Sequence, residues 1–251
     1  MSYLGIVKPL SRYASIFKDP SVLEVGVDKG QSMLPFIHNM SLKKDYFEYI
    51  GIDIKEDLCL INQLVNMSGI SPFVPPVYDD PMSCNIFYFL KNSLLFLPGM
   101  IEKGCRFDII LLDGDHNYFT VSKELEYAKS LIKPAGIIVC DDYCGRWAER
   151  DLFYSSRDSH ADIDIATPVQ EQEGTGVRGA VNEFLIENAG WKMIPTVEGV
   201  DFAILYQEEH VDLKLIKGIS DKYTHQIDIG YNFKSDSAKS HLKLLENTTN
   251  L

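Results

Sequence analysis

The feature that most constrains this chain is the alternation of short apolar runs with segments of helical period. Residues 21–26 (SVLEVG), 49–54 (YIGIDI), 85–90 (NIFYFL), 107–112 (FDIILL) and 136–140 (GIIVC) each read as a strand. The runs are β-branched and apolar on both faces, as a sheet covered on both sides requires. Helical patterns fall between them. In 120–133, Val121, Leu125, Ala128 and Ile132 share one helical face, and Lys133-Pro134 ends the run. In 179–188, Val181, Phe184 and Leu185 repeat the pattern before Gly190 closes it. Such alternation predicts an α/β fold with a doubly wound, mostly parallel sheet of seven strands and helices on both faces. The last two strands, 191–197 and 200–207, are separated only by Glu198-Gly199, which predicts an antiparallel edge hairpin.

Composition narrows the class of function. With 251 residues, 45% of them hydrophobic, the chain suits one elaborated domain over 1–207, followed by a polar extension over 208–251. A net charge of −12 disfavours a phosphate backbone as partner. Lys43 and Lys44 are offset by Asp45 and Glu48, so no basic patch is read that would favour nucleic acid. The five cysteines, Cys59, Cys84, Cys105, Cys140 and Cys144, form no CxxC pair, which argues against a disulfide framework or structural zinc and fits a reducing cytoplasm. Residues 1–10 lack the apolar core of a signal peptide, and no apolar run approaches the ~20 residues of a membrane span. Two segments break the alternation: 68–84, rich in proline and acid, and the polar stretch 145–178. Loops that long are usually functional lids or disordered segments. The second is expected to be a mobile lid over an acceptor site, offering Trp147, Phe153 and Tyr154 for stacking.

Two constellations carry chemistry. The first strand runs into Glu24-Val-Gly26-Val-Asp-Lys-Gly30-Gln-Ser32, a strand-to-helix turn whose glycines let the backbone approach a ligand beside free helix N–H groups. The spacing is GxxxG, not the GxGxxG of dinucleotide folds. Asp53 ends the second strand, where a carboxylate can accept both hydroxyls of a ribose. Together these point to an adenosine-type cofactor. The second constellation is Asp113-Gly114-Asp115-His116 after the fourth strand and Asp141-Asp142 after the fifth. Neighbouring parallel strands bring their C-terminal ends to one edge, so these carboxylates converge there. Clustered like charges repel unless a cation lies between them, and a hard divalent ion is the economical explanation.

The motifs VLEVGVDKGQS, YIGID, FDIILLDGDHNY and LIKPAGIIVCDDY resemble class I S-adenosylmethionine (SAM) methyltransferases. They are most similar to the metal-dependent branch of macrocin-type sugar O-methyltransferases (methyltransferase 24-like), and more distantly to catechol O-methyltransferase. The resemblance spans about 21–207 and implies a Rossmann-like fold. It implies a Mg²⁺ or Mn²⁺ site at Asp113, Asp141 and Asp142, with His116 at the base position. SAM would be held by Glu24, Gly26, Gly30, Ser32, Asp53, Ile54, Asn92, Ser93 and Asp113. Few residues precede the first strand, so the N-terminal helices that cap the substrate in many relatives are short or missing.

The expected chemistry is in-line transfer of methyl to a hydroxyl of a small molecule or sugar. The cation orients and polarises the acceptor oxygen, while His116 or Asp115 takes the proton. A cation held by three carboxylates leaves room for two substrate oxygens, favouring a vicinal diol. A nicotinamide oxidoreductase lacks both its glycine triplet and a Tyr-xxx-Lys pair here. Metal-independent methylation and a non-catalytic SAM-binding role remain as alternatives, and a homo-oligomer is allowed.

Overall fold

The computed structural model describes residues 4–44, 46–68, 84–171, 174–194 and 201–211. Most of the 68–84 segment, Glu198-Gly199 and the extension beyond 211 lie outside these residues. Seven strands form one sheet: β1 (Ser21–Val25), β2 (Phe47–Asp53), β3 (Cys84–Leu90), β4 (Phe107–Leu112), β5 (Ile132–Cys140), β6 (Trp191–Ile194) and β7 (Ala203–Gln207). Their order is β3-β2-β1-β4-β5-β7-β6. The first five are parallel, while β7 pairs antiparallel with both β5 and β6. The reversed strand therefore lies one in from the edge, and β6 caps it on the outside. β1 and β4 are buried along their whole length, as strands covered on both faces must be.

Six helices connect the strands: α1 (Leu4–Ala14), α2 (Met33–Ser41), α3 (Leu58–Ser68), α4 (Ser93–Glu102), α5 (Tyr118–Leu131) and α6 (Gly176–Glu187). On one face, Leu10, Met33, Phe36 and Met40 pack against Tyr49, Ile109 and Val139. On the other, Leu97, Leu125, Ala128 and Val181 pack against Leu23, Ile110 and Ile138. The helix expected over 120–133 starts two residues earlier, because the Asn117 side chain caps Thr120 N–H at 2.8 Å. The one expected over 179–188 begins at Gly176. Among the described residues one helix, α1, precedes β1, and Tyr13 on it donates to the Ala135 carbonyl. No helix among the described residues is long and apolar enough to cross a membrane.

The sheet edge at the C-terminal ends of β1, β2, β4 and β5 gathers every motif singled out above. The 145–171 stretch folds back over that edge. It makes two short 3-10 turns, Tyr154–Ser156 and Asp158–His160, and an isolated bridge between His116 and Leu152.

Candidate active site

Two adjoining sites occupy this edge. The first is a cleft of about 330 Å³ whose walls include Gly26, Asp28, Asp53, Ile54, Asn92, Ser93 and Asp113. Its glycine turn is held closed by Asp53. One carboxylate oxygen accepts the N–H groups of Val27 and Asp28, each at 2.8 Å, and the other accepts Lys55 N–H at 2.8 Å. Gly26 has φ of +84°, and a Cβ there would collide with the Asp113 carbonyl. Only glycine lets the turn after β1 pass so close to the end of β4.

The structure places three expected cofactor residues elsewhere. Glu24 is fully buried in β1 and accepts from Ser32 Oγ and from Tyr49 OH, the latter at 2.7 Å. Burial pushes its carboxyl up to about 7, against the pull of those two donors. Gly30 packs on Leu34 and Leu60. Glu24, Gly30 and Ser32 thus stand outside the walls of the cleft and brace its turn from behind. β1 is apolar and buried on both faces, so the sequence alone does not tell which face Glu24 serves.

The cleft also has walls that the sequence reading missed. Glu124 projects from α5 to its floor, and Tyr154, His160 and Thr167 reach it from the folded-back segment. Ser93 Oγ donates to Glu124 Oε1 at 2.6 Å, while Oε2 has no hydrogen-bond partner. Burial raises the Glu124 carboxyl to about 8. A signal was present, since an acid lying between Val121 and Leu125 falls on the buried stripe of an amphipathic helix.

The second site is acidic. Asp113, His116 and Asp141 can each point one ligand atom into a group whose members all lie within 4.8 Å of one another. Asp113 also lines the cleft, so the two sites share a wall. Asp141 is raised to about 6, chiefly by burial and further by Asp142, while a hydrogen bond from Asp113 opposes the shift. His116 is buried. Its Nε2 lies 3.8 Å from Asp113 Oδ1 and its Nδ1 3.6 Å from Asp142 Oδ2. Burial holds its pKa below the usual imidazole value, although Asp142 pulls the other way.

This geometry places two further expected residues apart from that group. Asp142, in the left-handed region at φ of +56°, stands beside the far nitrogen of His116 rather than with Asp113 and Asp141. Asp115, expected to share the base role, is a buried strut. It accepts Tyr154 N–H at 2.7 Å and Thr120 Oγ1 at 3.5 Å, pinning the folded-back segment to β4. That segment is held further by Leu152 N–H to the His116 carbonyl at 2.9 Å and by Asn92 Nδ2 to the Ile165 carbonyl at 2.8 Å. Phe153 is buried and offers no face for stacking, whereas Trp147 and Tyr154 are half-buried.

Residues 23–143, from within β1 to just past β5, match the family described as a methyltransferase domain. Residues 23–143 are a methyltransferase domain. The fold is shared with MNMC2 from Aquifex aeolicus at 12% identity and a TM-score of 0.51, over 87% of this chain and 65% of that one. It is shared with cofactor-bound Rv0187 from MTB at 16% identity and a TM-score of 0.50, over 82% and 81%. The SAM-bound O-methyltransferase TomG from Streptomyces achromogenes is similar at 18% identity and a TM-score of 0.48, over 80% and 78%. No protein of curated function matches.

Proposed function

We propose that this methyltransferase acts on a hydroxyl of a small molecule or sugar, with a divalent cation, Mg²⁺ or Mn²⁺, at the acidic cluster. The observation that carries the reading is the convergence of Asp113, His116 and Asp141 within 4.8 Å beside the cleft. Two carboxyls share a hydrogen bond there, and burial raises one of them, an arrangement that an intervening cation would relieve. Oxygen donors from Asp113 and Asp141 suit a hard ion, and an imidazole nearby is compatible with Mn²⁺.

Each group then has a role. Asp53 holds the ribose of SAM while keeping the 27–28 turn closed, and Asn92 and Ser93 border the adenine end. Asp113 and Asp141 hold the cation, which when bound orients an acceptor oxygen and lowers its proton affinity. His116 accepts the acceptor's proton at Nε2, the nitrogen on the Asp113 side, and Asp142 stabilises the resulting positive charge across Nδ1. Tyr154 and Thr167 cover the cleft and exclude water. His116 also belongs to the 4.8 Å group, which favours a second reading in which it is a third ligand. His116→Gln separates the two: a base loses turnover and keeps metal affinity, whereas a ligand loses both.

The test of the proposal is methyl transfer from labelled SAM to a panel of vicinal-diol glycosides, read by mass spectrometry with Mg²⁺, Mn²⁺ or EDTA. Transfer to oxygen that stops in EDTA and returns with the ion is expected. Full transfer in EDTA would make the enzyme metal-independent.

A further inference from the structure

The chain has six arginines, and four of them fall between residues 146 and 178. Three of these converge on one ring. The guanidinium carbons of Arg146, Arg150 and Arg157 lie 4.8, 4.7 and 5.4 Å from the centroid of Trp147. The fourth, Arg178, is paired with Glu149 at 2.6 Å. Among the described residues, no ion pair joins Arg146, Arg150 or Arg157 to a carboxylate. In a chain of net charge −12, three guanidinium groups thus gather at one aromatic ring.

Three guanidinium groups around one indole repel each other at separations where salt screens them only in part. The ring's negative face offsets some of that repulsion, and exposed cation–π contacts are individually weak. An anion seated among them would offset more, because each planar fork can offer two parallel N–H donors to a tetrahedral oxyanion.

The cluster adjoins the acidic site. Trp147 lies five positions after Asp142 in the chain. The Arg157 backbone N–H donates to the carbonyl of Tyr154, whose ring centroid is 6.0 Å from that of His116. A molecule with its anionic group among the arginines would therefore have the rest of its body beside His116.

We propose that Arg146, Arg150 and Arg157, arrayed around Trp147, form an anion subsite that seats a phosphoryl group of the methyl acceptor. The acceptor class becomes a phosphorylated hydroxyl compound, such as a sugar phosphate or nucleotide-sugar. Trp147 provides the platform that aligns the guanidinium forks. This inference rests on the proposed methyl transfer to oxygen for the identity of the bound molecule as acceptor.

The probe is inorganic pyrophosphate, titrated calorimetrically into the full chain saturated with S-adenosylhomocysteine (SAH) in buffer with EDTA. Removing divalent ions keeps the result independent of the metal site and of turnover. Saturable binding is expected, weakened at least tenfold in R146Q/R150Q, with SAH affinity and the thermal midpoint unchanged. R146K/R150K, which keeps the charge and loses the forks, should fall between the two. Either no binding to the wild-type chain or equal binding by R146Q/R150Q would overturn the subsite. Binding of acetate as tight as that of pyrophosphate would also overturn it, since it would point to a carboxylate acceptor. The metal reading fails separately, through activity that survives EDTA.

Discussion

The cleft proposed for SAM and the acidic site share Asp113, yet they are assembled by different means. The cleft is closed by local turns: Asp53 at the end of β2 ties down the turn after β1, and Gly26 lets that turn touch β4. The acidic site has its carboxylates just past the ends of β4 and β5, but its surroundings come from the folded-back 145–171 stretch, held through Asp115, Asn92 and the His116 carbonyl. The turn after β1 and the Asp53 carboxylate fix the base of the first, and Tyr154, His160 and Thr167 of the loop complete its walls. Side-chain tethers to a long loop fix the second, so its substitutions should loosen the loop without emptying the cleft.

The largest effect that probes this contrast is expected for Gly26→Ala. The substitution combines a left-handed backbone with a collision at Asp113, a cost of more than about 2 kcal/mol. Calorimetry should find SAH binding lost. Affinity within threefold of wild type would break the claim that only glycine lets the turn after β1 pass so close to Asp113.

Asp53→Asn should come next. It keeps the shape and removes the charge that accepts three backbone N–H groups and the expected ribose hydroxyls. SAH affinity should fall roughly tenfold to hundredfold, since a hydrogen bond to a charged group contributes about 1.5–3 kcal/mol. Unchanged affinity would remove Asp53 from the cofactor site.

Glu24→Gln separates bracing from binding. Glu24 is more basic in the folded chain, at about 7, than in the unfolded chain, so the folded state holds the extra proton. Its contribution is most favourable below the unfolded value and is lost as pH rises from about 4.5 to about 7. The variant should therefore gain stability relative to wild type across that window, by at most about 3 kcal/mol in denaturant unfolding. SAH affinity should change little. A large affinity loss at unchanged stability would return Glu24 to the cleft.

Asp115→Asn should be the mildest of these, weakening the tether to Tyr154 N–H by about 1 kcal/mol. Hydrogen exchange should quicken over residues 152–157 and stay the same over 26–30. Uniform protection in both segments would show that the loop is held by other contacts.

What the sequence disclosed follows the same division. The strands, the GxxxG turn, Asp53 and both acidic motifs were legible because they depend on local pattern and on where parallel strands end. The partners of Glu24 were not, because a strand buried on both faces gives no cue to the cofactor's side. The role of Asp115 as a strut and the company of Asp142 depend on a loop with no periodicity. The full arginine cluster was hidden for the same reason: Arg157, ten residues after Trp147, lies over its ring beside Arg146 and Arg150 only because of the loop's fold.

The central claim, a cation at Asp113 and Asp141 beside the cleft proposed for SAM, is tested most directly by Mn²⁺ binding. Electron paramagnetic resonance would titrate Mn²⁺ into SAH-saturated wild type and Asp141→Asn, with SAH affinity measured on both. One Mn²⁺ per wild-type chain is expected, with affinity at least tenfold weaker in the variant and SAH binding the same in both. Equal Mn²⁺ binding by the two proteins, or none by the wild type, would contradict the account.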